Sequence, residues 1–551
     1  MRRLIASLAM LGMLTACQHH PSSVADNSEL GPGATTFSPG IMVNDLAAHV
    51  RVLSSEPYRH RTPGSASEQR TIEYLVQQFE RIGVAPGNGD RWVQDVPFIA
   101  STVDKPDQVT LDVAGAVGTL SLAFGKDMVV NSPAGHAHSE LDAASLVFVG
   151  YGIVAPEQHW DDYAGVDVHG KTVVILANDP GWDSNDAQLF GGRIPTTYGR
   201  WSYKVEQAAL HGAAAALVIH DPQAAGVGWN GLVTHWSGTR YSDPGTSSHR
   251  TAIAGWLNAD AARSLFAYAG IDFIKATQAA HERGFKAMNI PAQLSTRFDS
   301  TIQHGVSHNV IAKVVGSKKP DEAIIFSTHT EDAASNPHLR GPTDSAAGLG
   351  GLLEMAEAFA HKAPKAHRTV YFIAFTMEGS GLLGSQYYVK HPVISLDHTI
   401  ADINMDALPT LGPSRDAAVI GFGKSDLDDY FADALRAQHR RLTPADMEVQ
   451  GVFYRSDQLS FASHGVPVLY ARSGLDLVQG GTAAGHKRFG DYLRMLDGDA
   501  PNDEAHWNLQ GEVEDLRALF MVGGRLSMET TYPKWKAGAD FARRPTSQAT
   551  Q

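Results

Sequence analysis

Between Phe326 and Asp406 the chain sets histidine and acidic residues directly after short apolar runs, and that placement favours one fold class. Ala323–Ser327 and Val370–Phe375 have strand length and composition, and they lead into Thr328-His329-Thr330-Glu331 and Thr376-Met377-Glu378-Gly379. A third segment ends in Ile403-Asn404-Met405-Asp406. Asp344 stands just ahead of Ala346–Phe359, a run of small residues that reads as a helix able to approach a sheet closely. Apolar strands alternating with helices predict an α/β fold with a mixed, mostly parallel sheet sandwiched by helices. In an open parallel sheet, ligands bind at the carboxyl ends of the strands. His329, Asp344, Glu378 and Asp406 are therefore expected along one edge. Imidazole with carboxylates is the donor set of a hydrolytic metal site, and a further glutamate can handle the proton of a water.

Taken singly, these residues have plainer roles. His329 could be a structural histidine, Asp344 a helix cap, and Asp406 an ordinary loop acid. Glu378 is harder to dismiss, because a carboxylate at the end of an apolar strand loses solvation unless something uses it. Order and spacing carry the argument: 34 residues separate Asp344 from Glu378, and 28 separate Glu378 from Asp406.

The segments His329-Thr-Glu331, Gly341-Pro-Thr-Asp344-Ser-Ala-Ala-Gly348, Glu378-Gly-Ser-Gly-Leu-Leu-Gly-Ser385 and Asn404-Met-Asp406 resemble the motifs of the co-catalytic zinc aminopeptidases of peptidase clan MH. The likeness is to bacterial members with an inserted protease-associated domain, and it runs from about Val43 to Trp535. It implies a zinc site in which Asp344 bridges two ions and His329 and Asp406 complete one of them. Glu378 is then the general base, and Glu331 orients His329 one methylene further out than the family's aspartate. The second ion of the family needs a glutamate where this chain has Gly379, and a late histidine where it has Asp497. Asp497 could still bind metal through oxygen, with Asp499 as a second candidate; His338 lies in the His329 loop and could also reach it. The resemblance thus implies one zinc ion, or two if these groups rebuild the second site, and peptides as substrates. Two classes stay open: a metal-dependent aminopeptidase or related one-metal amide hydrolase, and an impaired descendant that binds peptides or a protein partner.

At 551 residues the chain should hold two domains or more. Its net charge of −14 argues against a nucleic-acid partner, which would call for a basic face. Met1-Arg2-Arg3 and the apolar run Leu4–Ala16 read as a signal segment too short to span a bilayer as a helix. It ends in Leu14-Thr15-Ala16-Cys17, which resembles the bacterial lipoprotein cleavage box, with Cys17 the lipidated residue and the chain's only cysteine. Gln18 in place of aspartate resembles the signal for the outer membrane. A lipid-anchored protein of the cell envelope, facing the periplasm, is expected, touching membrane only through that anchor.

The expected organisation is a signal peptide (1–17), a flexible tether (18–40), a first peptidase part (41–107), the inserted β-rich protease-associated domain (108–285), a second peptidase part with the metal site (286–537) and a disordered tail (538–551). Ser65–Ile82 patterns as a helix stopped by Gly83, and Gly465–Tyr470 as a late buried strand. Phe453-Tyr-Arg-Ser-Asp457 matches the family's Ser-Asp loop. Asp161, Asp162 and His220 are read as turn and surface polar residues, and His308 and His361 as solvent-facing.

Overall fold

In the computed structural model, residues 40–541 are described except 116–117, 183, 185, 187, 194–195, 226–227, 246–249, 332–343, 407, 446–450, 497–506 and 540. Cys17, His338, Asp497 and Asp499 lie outside the described residues, and of Asp344 only the backbone is described.

Four parallel strands form the centre of the first sheet: Arg368–Phe375, Lys319–His329, Thr399–Asn404 and Val468–Ser473, in that spatial order. They are almost wholly buried, as the near-continuous apolar runs of a sheet covered on both faces require. Antiparallel neighbours extend the sheet on both sides. Met288–Val314 pairs with Arg368–Phe375, and Asp416–Val419 pairs with Val468–Ser473. The fold is thus α/β with a mixed, mostly parallel sheet, as expected.

Helices cover both faces. One core cluster unites Leu46, Leu75, Phe79, Leu352, Phe359, Phe431 and Leu519 with sheet residues such as Phe326 and Phe372. The other joins Ile325 and Phe375 to Tyr388, Phe453 and Phe461. Ala66–Ile82 begins at Ser65, whose side chain accepts from the Glu68 amide, and ends at Gly83 in the left-handed conformation. In Asp344–Ala360 a side chain at Gly348 would meet Thr328 Oγ1 at 2.3 Å and the Met405 carbonyl at 2.9 Å. The small residues there let the helix run close over the strand ends.

The sequence reading did not find the 27-residue strand Met288–Val314. Its buried face alternates apolar residues with Thr296 and Ser300, and Pro291 and Gly305 interrupt it, so no apolar run announces it. Its first half belongs to a second sheet, between Thr110–Gly115 and His138–Phe148. That sheet continues through the parallel strands Thr172–Leu176, Ala215–Ile219 and Ile253–Leu257 and has its own two core clusters. Between the sheets, Ser300–Val310 pairs with Val93–Val103 as a long antiparallel ribbon.

Asp162 and His220 correct the surface reading: both are buried. Asp162 accepts from the Ile153 amide and the Trp160 indole, and His220 lies edge-on to Trp229 and Trp256. Their role is structural, in the core of the second sheet. Asp161 is exposed and caps the Tyr163 amide. His308 is half-buried, 3.5 Å from Asp95, and His361 is exposed.

Candidate active site

The register of the central strands assembles the site. Ser327 is opposite Asn404 and Asn404 opposite Tyr470, while His329 is level with Phe375. Two residues beyond these pairs, at the carboxyl edge, His329 and Asp406 meet with Nε2 and Oδ1 3.0 Å apart. The Tyr470 hydroxyl donates to the other oxygen of Asp406 at 2.9 Å. On its far side His329 donates from Nδ1 to the Glu331 carbonyl at 3.0 Å, which turns Nε2 toward the carboxylate. Glu331 therefore orients the imidazole through its backbone. Its carboxylate accepts from the Gly379 amide at 3.1 Å and so ties the His329 and Glu378 loops together.

Glu378 follows Met377, a non-glycine residue at φ 56°. That left-handed conformation is costly for a bulky side chain and persists only where the surroundings impose it. Here the imposition is visible. Met377 is buried among Val96, Phe98, Ala100 and Leu383, and the Glu378 carbonyl accepts from the Leu382 amide at 2.8 Å. A side chain at Gly379 would meet nothing within 4 Å, so the missing glutamate is not excluded by space.

Charge in this pocket is unbalanced. Burial pushes the Glu378 carboxyl well above the usual range; His329 opposes this, while Asp406, Asp457 and Glu331 add to it. Burial raises Asp457 and Glu331 as well. Burial would also raise Asp406, but the His329 charge and hydrogen bonds from His329, Ser456 and Tyr470 outweigh it and hold it low. Four buried or half-buried carboxyl groups thus share one imidazole, and Asp457 Oδ1 has no partner among the described residues. This excess of negative charge fits a divalent cation. Among the described residues no three metal-binding side chains converge; His329 and Asp406 are the two that meet. The backbone places Asp344 at the start of its helix, at the same edge of the sheet.

Several contributors were not read from the sequence. Tyr470 sits inside an expected strand with nothing to mark its hydroxyl, and Asp457 was noted only as part of a motif. Arg61 is buried and holds four oxygens at once. It donates to the carbonyls of Leu53 and Tyr58 at 2.8 Å, to the Thr330 carbonyl at 2.5 Å and to Ser345 Oγ at 2.6 Å. It thereby fixes the chain beside His329 to the residue after Asp344. Glu68 accepts from the Gly64 amide and from Ser307, under the Thr376 turn. The helical patterning of Ser65–Ile82 did not mark it.

Parts of this chain are similar to known proteins. Residues 309–504 match peptidase family M28. A probable zinc metalloprotease of Pyrenophora teres f. teres is 36% identical over 102 residues, 18% of this chain and 22% of that protein. A probable leucine aminopeptidase 2 of Aspergillus oryzae is 32% identical over 93 residues, 17% of this chain and 18% of its own length. The chain spans about a fifth of the length of these curated relatives. Among solved structures, an aminopeptidase from Aneurinibacillus sp. strain AM-1 aligns with a TM-score of 0.48 at 20% identity, over 91% of this chain and 97% of the other. A zinc aminopeptidase from Bacillus subtilis aligns with a TM-score of 0.45 at 16% identity, over 92% and 100%.

Proposed function

We propose that this chain is a zinc-dependent exopeptidase that removes residues from the amino ends of peptides. The observation that carries the reading is the His329–Asp406–Tyr470 contact beside the carboxyl of Glu378, at the carboxyl edge of a parallel sheet. His329 and Asp406 would hold the ion with Asp344 as the third ligand. When bound, zinc supplies Lewis acidity toward a water and the scissile carbonyl. Glu378 removes the proton of the attacking water and returns it to the leaving amine. The Gly379–Glu331 hydrogen bond and the packing of Met377 keep the Glu378 carboxyl in place. Zinc content of the purified protein, measured with turnover of aminoacyl p-nitroanilides, tests the reading.

Gly379 favours a second reading, a binding protein on a peptidase fold, because it supplies no side-chain ligand. The same position gives a discriminating experiment. Wild type is expected to retain one tight zinc per chain after dialysis, and Gly379→Glu with Asp497→His is expected to retain two. Elemental analysis reads both. A wild type without turnover, together with a double variant that gains no metal, supports the binding protein instead.

The envelope location is part of the same proposal. No helix among the described residues is long and apolar enough to cross a membrane, so attachment would rest on lipid at Cys17. Cys17→Ala is expected to move the protein from the membrane fraction to the soluble fraction of the periplasm. A processed variant that still sediments with membranes contradicts the anchor.

A further inference from the structure

The segment from Thr239 to Asp243 belongs in sequence to the second sheet but is fastened at the active site. Arg240–Ser242 pairs with Ile99–Ser101 on the ribbon strand. Thr239 and Thr102 share a hydrogen bond of 2.8 Å between their hydroxyls. At the other end Asp243 forms an ion pair of 3.2 Å with Lys390, on the helix Leu383–Lys390 that follows the Glu378 loop. Between these anchors Tyr241 sets its ring edge-on to Phe98, with centroids 5.2 Å apart. It packs against the cluster of Val96, Phe98, Met377 and Leu383, and Tyr387 joins from the helix. Met377 is the residue directly before Glu378.

Two half-buried tyrosines thus cover an apolar cluster that includes Met377, the residue before the proposed general base. Burial raises the Tyr241 hydroxyl, and the charges of Glu68 and Glu331 raise it further. No described residue takes its hydroxyl hydrogen bond. A core tyrosine is normally buried with its hydroxyl paired; this one has a covered face and a half-open one.

We propose that Tyr241 is a specificity-determining residue, the wall of an apolar subsite that takes the side chain of the substrate residue whose carbonyl is attacked. The half-open faces of Tyr241 and Tyr387 would form that wall, backed by the buried cluster of Val96, Phe98 and Met377. The proposal rests on the exopeptidase reading. It predicts discrimination by size: a phenylalanyl or leucyl side chain covers the Tyr241 face, whereas an alanyl side chain does not reach it.

The test compares kcat/KM on phenylalanyl, leucyl and alanyl p-nitroanilides for wild type, Tyr241→Ala and Tyr241→Phe. Tyr241→Ala is expected to lose about 10- to 50-fold on the two large substrates and less than about threefold on the alanyl one. Tyr241→Phe is expected to retain the preference for large over small. An equal loss on all three substrates would mean that Tyr241 only supports Met377, and no loss on any would remove it from the subsite; either overturns the proposal. If wild type turns over none of them, the exopeptidase reading fails by itself. The subsite is then read by calorimetry of phenylalaninamide and alaninamide binding to Glu378→Gln. Tighter binding of phenylalaninamide, lost on adding Tyr241→Ala, supports the wall, and equal binding of the two amides refutes it.

Discussion

Glu378→Gln is expected to lower turnover by about a hundred- to ten-thousand-fold while zinc content and melting temperature stay close to wild type. The amide is nearly isosteric, so the loop that positions it should be retained. The Leu382 amide bond to the residue 378 carbonyl and the Gly379–Glu331 bond both run through backbone donors, and neither needs the carboxyl. What the amide cannot do is accept a proton. Replacing the carboxyl also removes one of the mutually repelling acids, which favours the fold slightly. Asp344→Ala should differ in kind, losing zinc together with activity, because that aspartate is proposed as a ligand. The two profiles, zinc kept and zinc lost, are separated by elemental analysis alongside the rate assay. Substantial turnover by Glu378→Gln would assign the proton transfer to another group.

The second large effect concerns stability. Asp402 lies in the middle of the sheet, fully buried, with the Ser327 hydroxyl donating to Oδ1 at 2.7 Å and no partner on Oδ2 among the described residues. Burial raises it to about 7, and the Ser327 hydrogen bond opposes this only in part. Tyr388, itself buried, faces it from the helix Leu383–Lys390 and feels its charge. The folded state therefore binds this proton more tightly than the unfolded chain does. Its contribution to stability is complete below pH ~4 and is lost as pH rises through about 7, a swing of about 4 kcal/mol. Asp402→Asn cannot ionise. Its stability relative to wild type is expected to rise by about that amount between pH 4 and pH 8 and to change little above pH 8. Urea unfolding across that range measures it. A difference that is flat with pH would mean that Asp402 stays ionised in the fold, held by a cation the described residues do not supply.

The architecture was legible where one residue pattern had one physical reading. Ser65 and Gly83 bracketed a helix because capping and left-handed backbone are local matters. The Phe326 and Phe372 strands were legible because a sheet covered on both faces needs continuous apolar runs. His329 and Asp406 were legible through their position just past such runs, and the structure brings them into contact. Tyr470, Asp457 and Arg61 were not, because each takes its place in the site through partners remote in sequence, such as Asp406 for Tyr470 and Ser345 for Arg61. Asp162 and His220 were misread because a polar residue in a turn motif was taken for an exposed one. Met288–Val314 was missed for the opposite reason: a strand serving two sheets has no single face to keep apolar.

That shared strand has a mechanical consequence. An inserted domain attached by loops can swing as a lid, since loop torsions absorb the motion at little cost. Here the connection is Met288–Val314 itself, paired across Ser300–Val310 to Val93–Val103 through an unbroken ladder. Any rocking of one sheet against the other would bend both strands and shear that ladder. The ribbon acts as a stiff beam, with Tyr241 mounted on its edge and packed against the cluster that holds Met377. On the proposed reading, the wall that Tyr241 supplies keeps its shape while substrates bind.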